Sequence, residues 1–291
     1  MQAIDAKDAN VNVIVNDTVA TASADNITAL NALMGATTGT VTATVNGDGA
    51  QLDGLQATGT ASTQVLTITV NDAMTGSGGV TSLNAISAST TTTVTAADVS
   101  GNSADLASLS AHGGKQAYTI TVDNATNAAN GALIAAATTA GTVDFSAAGV
   151  NEAFAALTNG TAVSAEMQAI DAKDANVAIT VNDTIGTASA NNVTALNALM
   201  SATTGTITAT VNGNSAILGQ LQATGTGGNT QTLTIAVADA TSAADGAAIA
   251  AATGAGTVDF SAAGVSDAVA GIITGNALTS NMSAIDAKDA D

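Results

Sequence analysis

The segment VAITVNDTIGTASANNVTALNALMSATTGTITATVNG, Val177 to Gly213, recurs almost letter for letter at Val11 to Gly47. It begins with strict alternation. Val177, Ile179 and Val181 stand against Ala178 and Thr180, as Val11, Val13 and Val15 stand against Asn12 and Ile14. Between the copies the first set exchanges only Val for Ile, while Ile14 in the second set becomes Thr180, so the first set is expected to face a core. A polar turn follows. Then comes a helical stripe, Val193, Leu196, Leu199 and Met200, matched by Ile27, Leu30, Leu33 and Met34, with Ser23 placed to cap. Gly205 and its counterpart Gly39, like Gly141 and Gly256, precede a new strand and are expected to end the helix in a left-handed conformation.

Working outward, residues 1 to 58 match 167 to 224 at an offset of 166, pairing Asp17 with Asp183 and Leu55 with Leu221. The nonapeptide TVDFSAAGV occurs at Thr142 to Val150 and at Thr257 to Val265, an offset of 115. The offsets differ by 51 residues, so the first copy carries an insert, about 65–116, with two strand-like runs of its own. Strand-like runs begin near Val11, Thr40, Val65, Thr91, Tyr118, Thr142, Val177, Thr206, Leu233 and Thr257. A chain that gains or loses whole strand units in this way points to nearest-neighbour stacking. The expected fold is an α/β solenoid: strand–helix rungs forming one stacked parallel β-sheet with short Ala-rich helices, elongated and curved or twisted. Copy 1 spans 1–166 and copy 2, continuous with it, 167–291. Tandem β-sandwiches and a plain β-helix remain as alternatives. SAEMQAIDAKDA, Ser164 to Ala175, reads as a further capped helix.

Composition supports a thin core. Among 291 residues there are no Pro, Cys or Trp, one Tyr and three Phe, so Ala and Val carry the apolar content. Four Lys+Arg against 23 Asp+Glu give a formal charge of −19, which excludes a phosphate-binding nucleic-acid surface and an anionic membrane surface. No run is long enough to insert in a membrane, and MQAIDAKDAN at the start lacks the regions of a signal peptide. AIDAKDA at Ala3, Ala169 and Ala284 puts both ends in one phase of the duplication, which suggests an excerpt of a longer array or a chain whose end stacks on the next copy's start.

Chemistry-bearing residues are few. Asp or Asn follows many strands, and two readings compete. One is a polar ladder bonding turn backbone in neighbouring units. The other is calcium held by Asp17, Asp72, Asp123, Asp183 and Asp239, although the glycine-rich calcium nonapeptide is absent. Alternating Thr, as in Thr40 to Thr44, Thr91 to Thr95 and Thr206 to Thr210, either suits exposed strand faces or ranks into an ice-binding plane. The single His112 lacks partners for metal or nucleophilic chemistry, and Gly114-Lys115-Gln116 fails the phosphate-loop pattern. Asn-x-Ser/Thr triplets such as those at Asn26, Asn124, Asn192 and Asn281 follow from composition. No catalytic residues and no cofactor beyond calcium are expected, so the chain is read as a non-enzyme.

The units ITVNDTIGTASANNVTALNALMSATTGTITA and TVDFSAAGV resemble repeats of very large bacterial surface proteins, of the hemolysin-type (RTX-associated) and cyanobacterial kinds. The resemblance implies an extracellular or cell-surface location, a structural role in a fibre, sheath or adhesin stalk, and calcium dependence. The expected function is a structural module assembling end to end with itself into a homo-oligomer or filament. The alternative is an adhesin or ligand-binding surface module for calcium, glycan or ice.

Overall fold

Val177, Ile179 and Val181 are buried and Thr180 is exposed, so the alternation read from the sequence is that of a strand with one face in a core. The computed structural model describes residues 10–20, 24–56, 63–146, 149–186, 189–222, 231–262 and 264–289. Ser23, the expected cap, lies outside them, as does most of the MQAIDAKDAN segment.

The chain divides into two compact units, Met1–Asn124 with Asn130–Ala147, and Ala125–Ala129 with Ala148–Asp291. In the first, chain order runs β1 (Val13–Ala20), α1 (Ala24–Gly35), β2 (Val41–Gly47), α2 (Gly49–Leu52), β3 (Val65–Val70), β4 (Met74–Thr75), α3 (Gly76–Ala88), β5 (Val94–Gly101), α4 (Ser103–Leu106), β6 (Gln116–Val122), α5 (Ala128–Ala137) and β7 (Val143–Asp144). Its sheet has the order β1-β2-β3-β5-β6-β7, with β4 also paired to β5, and every pairing is parallel.

The second unit runs β8 (Val150–Glu152), α6 (Phe154–Leu157), β9 (Thr158–Asn159), β10 (Ala162–Val163), α7 (Ala165–Asp171), β11 (Ile179–Gly186), α8 (Ala190–Ala202), β12 (Ile207–Gly213), α9 (Ser215–Leu218), β13 (Thr232–Val237), α10 (Ala243–Ala251), β14 (Val258–Asp259), α11 (Val269–Ile272), β15 (Ile273–Thr274), β16 (Ala277–Leu278) and α12 (Ser280–Asp286). Its sheet order is β14-β13-β12-β11-β8, again parallel.

Two observations correct the expected fold. The single stacked sheet running through both copies does not form: the strands divide into two parallel sheets with interspersed helices, a compact α/β organisation. The solenoid, repeat-array and filament architecture falls with it, and so do the sandwich and plain β-helix alternatives. The physical reason lies in TVDFSAAGV. Asp144 Oδ1 accepts the Ser146 N–H at 2.8 Å, folding the backbone into a turn after two strand residues and ending the ladder there. Asp259 and Ser261 repeat the device at 2.8 Å beside β14.

The second correction concerns Gly39, Gly141, Gly205 and Gly256, none of which has a positive φ. They are glycine because a Cβ would lie 1.8–2.4 Å from the carbonyl oxygen of Val11, Tyr118, Val177 or Leu233, in or just before the neighbouring strand. A buried threonine just before each glycine makes that approach. Thr37 Oγ1 donates to Val11 O at 2.6 Å and Thr203 Oγ1 to Val177 O at 2.7 Å, while each also accepts the following glycine N–H at 2.9 Å. Positive φ occurs at Gly160 and Gly275, at 65° each, in the two-residue turns of the β9–β10 and β15–β16 hairpins.

Candidate functional site

In the second unit, the face of the sheet turned away from the core carries threonine in register. Thr180 lies beside Thr208 and Thr208 beside Thr232; Thr184 lies beside Thr210 and Thr210 beside Thr234. All are exposed except Thr232, which is half-buried. Thr208 and Thr210, like Thr232 and Thr234, are two residues apart, as one strand face requires. Thr180 and Thr184 are four apart, and a bulge between them restores the alignment. The motif Val-Asn-Asp-Thr at 181–184 is therefore the bulge itself: it spends Asn182 and Asp183 so that Thr184 reaches Thr210. β1 has the same bulge, which brings Thr18 beside Thr44 and Thr67, and a second short rank joins Asn46, Thr69 and Thr95.

The neighbouring row, Gly186, Asn212 and Ala236, ends in acid. Asp259 lies beside Ala236 and Asp144 beside Thr121. The hydroxyl and backbone N–H of Ser261 and of Ser146 hold these carboxyls below their usual range.

The Asp candidates for calcium are spread along the strands. Asp72 Oδ1 accepts the Gly49 N–H at 2.7 Å, Asp183 Oδ1 the Phe154 N–H at 2.7 Å, and Asp239 Oδ1 the Ser215 N–H at 2.6 Å. Each thus satisfies the first orphan donor of a short helix that follows the preceding strand. Next to Asp123 it is Asn124 that does this, its Oδ1 accepting the Ser103 N–H at 2.7 Å, and Asp123 itself is exposed. Asp17 is exposed, and its carboxylate makes no hydrogen bond among the described residues. Among the described residues no group of three or more His, Cys, Asp or Glu comes together as a metal-ligand set.

His112 stands exposed on a loop, with Nδ1 3.3 Å from Ser110 O. Lys115 is exposed and its ammonium bonds Thr91 O. The aromatic rings are internal: Tyr118, Phe145, Phe154 and Phe260 are all buried. Burial pushes the Tyr118 hydroxyl up to about 12 despite its bond to Ser87.

Sequence reasoning missed a set of asparagines. Asn31, Asn84 and Asn197 each clasp the loop after a short helix through both amide atoms. Asn197 Nδ2 donates to Gln220 O at 2.9 Å and its Oδ1 accepts the Gln222 N–H at 3.0 Å. Asn31 does the same with Gly54 and Gln56, and Asn84 with Ser108 and Ser110. The available signal was the tripeptide Leu-Asn-Ala, present at 30–32, 83–85 and 196–198.

The fold and this face define two compact α/β units, the second of which displays a hydroxyl-bearing sheet surface. Compared with family models, with curated proteins and with solved structures, the chain matches none of them. No helix among the described residues is long and apolar enough to cross a membrane.

Proposed function

We propose that the chain is a non-catalytic ligand-binding module of an extracellular bacterial surface, and that its ligand is the ordered water of an ice face. The observation that carries this reading is the two-by-three threonine array, Thr180, Thr208 and Thr232 with Thr184, Thr210 and Thr234. On parallel strands such an array repeats at about 4.8 Å across the sheet and about 6.6 Å along each strand. Every position presents one methyl and one hydroxyl. A β-branched side chain has few χ1 states to lose, so the array is ordered before it binds. A lattice of neutral water molecules rewards such pre-ordering, whereas a charged side chain in the rank would impose its own hydration. No charged residue stands in it.

A glycan-binding reading has less support, because the rings a sugar would stack on are buried. Calcium has less too, since Asp72, Asp183 and Asp239 spend carboxylate oxygens on backbone N–H groups.

Partition into slowly growing ice tests the proposal. The intact chain should enter the ice and the double variant Thr208→Lys, Thr210→Lys should stay in the liquid, with unchanged far-UV circular dichroism. An intact chain excluded as fully as the variant would sink the idea. Chelating calcium should leave the partition unaltered.

A further inference from the structure

The chain contains a worked example of one of its own segments docking on another. In the second unit, β8 adds to the edge of β11 through Val150 beside Ile179, Asn151 beside Thr180 and Glu152 beside Val181. Next, α6 lies against β11 and the β9–β10 hairpin against α8. Phe154 and Leu157 are thereby buried, and the Phe154 N–H reaches Asp183 at 2.7 Å.

Both halves of that junction occur a second time, unmatched. The receiving half, β11 with α8, is repeated 166 residues earlier as β1 with α1. Among the described residues β1 pairs only with β2, leaving its other edge open. Val13 and Val15 are half-buried, although their counterparts Ile179 and Val181 are buried. Beside them lies a groove of about 410 Å³, lined by Val15, Thr18, Val19, Ala29, Leu30 and Leu33 among others. The carboxylate of Asp17, the counterpart of Asp183, makes no hydrogen bond among the described residues.

The inserting half, Val150 to Asp174, is repeated 115 residues later as Val265 to Asp289. There α11 buries none of its residues. Val269, the counterpart of Phe154, is 76 % exposed, and Ile273 and Leu278 of the hairpin are 45 % and 48 % exposed. Val265 is bridged on one side, to Thr241.

We infer that this C-terminal segment of one copy docks on the β1–α1 edge of a second copy of the chain. Val265 to Asp267 lies beside Val13 to Val15 in the register that β8 adopts on β11. The α11–hairpin face closes the groove over Ala29 and Leu33, and the Val269 N–H meets the Asp17 carboxylate. The contact is heterologous: each copy offers two different surfaces. It joins main-chain strand addition to apolar burial, and covers the large apolar side chains that the segment now exposes to water.

Sedimentation of the full chain over a range of concentrations, at about 0.15 M salt to screen its charge, provides the test. The mass of the intact chain should rise with concentration. Val269→Asp and Ala29→Glu change exposed residues, keep the circular dichroism of the intact chain, and should each remain monomeric. Mixing the two variants should restore pairing, because the groove of Val269→Asp and the C-terminal segment of Ala29→Glu are both intact. An intact chain monomeric at every concentration overturns the inference. So does association that survives either substitution, or a mixture that fails to pair, which would mark an isologous contact or none.

Discussion

Asp239 illustrates what single side chains contribute to this fold. Its carboxylate follows β13 in sequence yet caps α9, which follows β12, so one residue ties a helix start to the next strand. Asp239→Ala should lower stability by about 0.5–2 kcal/mol, the usual cost of losing a cap, in urea denaturation. Asp171 behaves in the opposite sense. Its Oδ1 is buried without a partner among the described residues, and burial together with the nearby Asp174 charge raises its pKa. A carboxyl with a raised folded pKa holds its proton longer in the folded chain. Stability from this site therefore falls as pH rises from the ordinary carboxylate value through the raised one. Asp171→Asn should accordingly melt above the intact chain at pH 7, and the gap should close as pH falls toward 4. An equal gap at both pH values would refute the assignment. Tyr118 allows a cleaner reading, because it is the chain's only tyrosine. Ultraviolet titration should show it ionising near 12 when folded, against 10.0 for the ordinary side chain. Above that ordinary value the unfolded chain ionises first, so stability should decline.

At the level of elements, the chain resolves a conflict of spacing. Parallel strands sit about 4.8 Å apart, but helices pack at about 8–10 Å, so a full helix cannot follow every strand of a sheet built in sequence order. In the first unit helices of 12, 13 and 10 residues alternate with helices of 4 residues. One long helix to every two strands doubles the available spacing to about 9.6 Å. Asn31, Asn84 and Asn197 fasten α1, α3 and α8 to the loop after the short helix that follows. Asn197→Ala, which removes two hydrogen bonds, should cost about 1–3 kcal/mol. Gly205→Ala should cost about 1–3 kcal/mol by overpacking, since its Cβ would lie 2.3 Å from Val177 O. Both follow from denaturant midpoints. A Gly205→Ala chain as stable as the original would show that the helix–strand turn can shift freely.

For the whole molecule, the insert is the informative feature. Residues 65–115 supply β3, β4, α3, β5 and α4, while in the second unit β12 pairs directly with β13 without them. A chain lacking residues 65–115 should let β2 pair with β6 as β12 pairs with β13, and should keep a cooperative thermal transition; a featureless melt would show that the insert completes the first core. The strand positions were legible because Val/Ile alternation reports one-sided burial directly, and so were the helical stripe at Leu196 and the polar ladder after the strands. Those are local signals, written within ten residues. The bulge that carries Thr184 to Thr210, the threonines that clamp Gly39 and Gly205, and the division into two sheets were not, because each depends on which backbone lies one strand away. Sequence alone thus determined the duplication, the inner face of each strand and the acidic, ring-poor surface, all properties of residue order. Where the ladder stops and which threonines become neighbours are properties of the folded chain. Both are set by hydrogen bonds between residues some 20 to 30 positions apart, such as Phe154 to Asp183, and no local pattern encodes that distance.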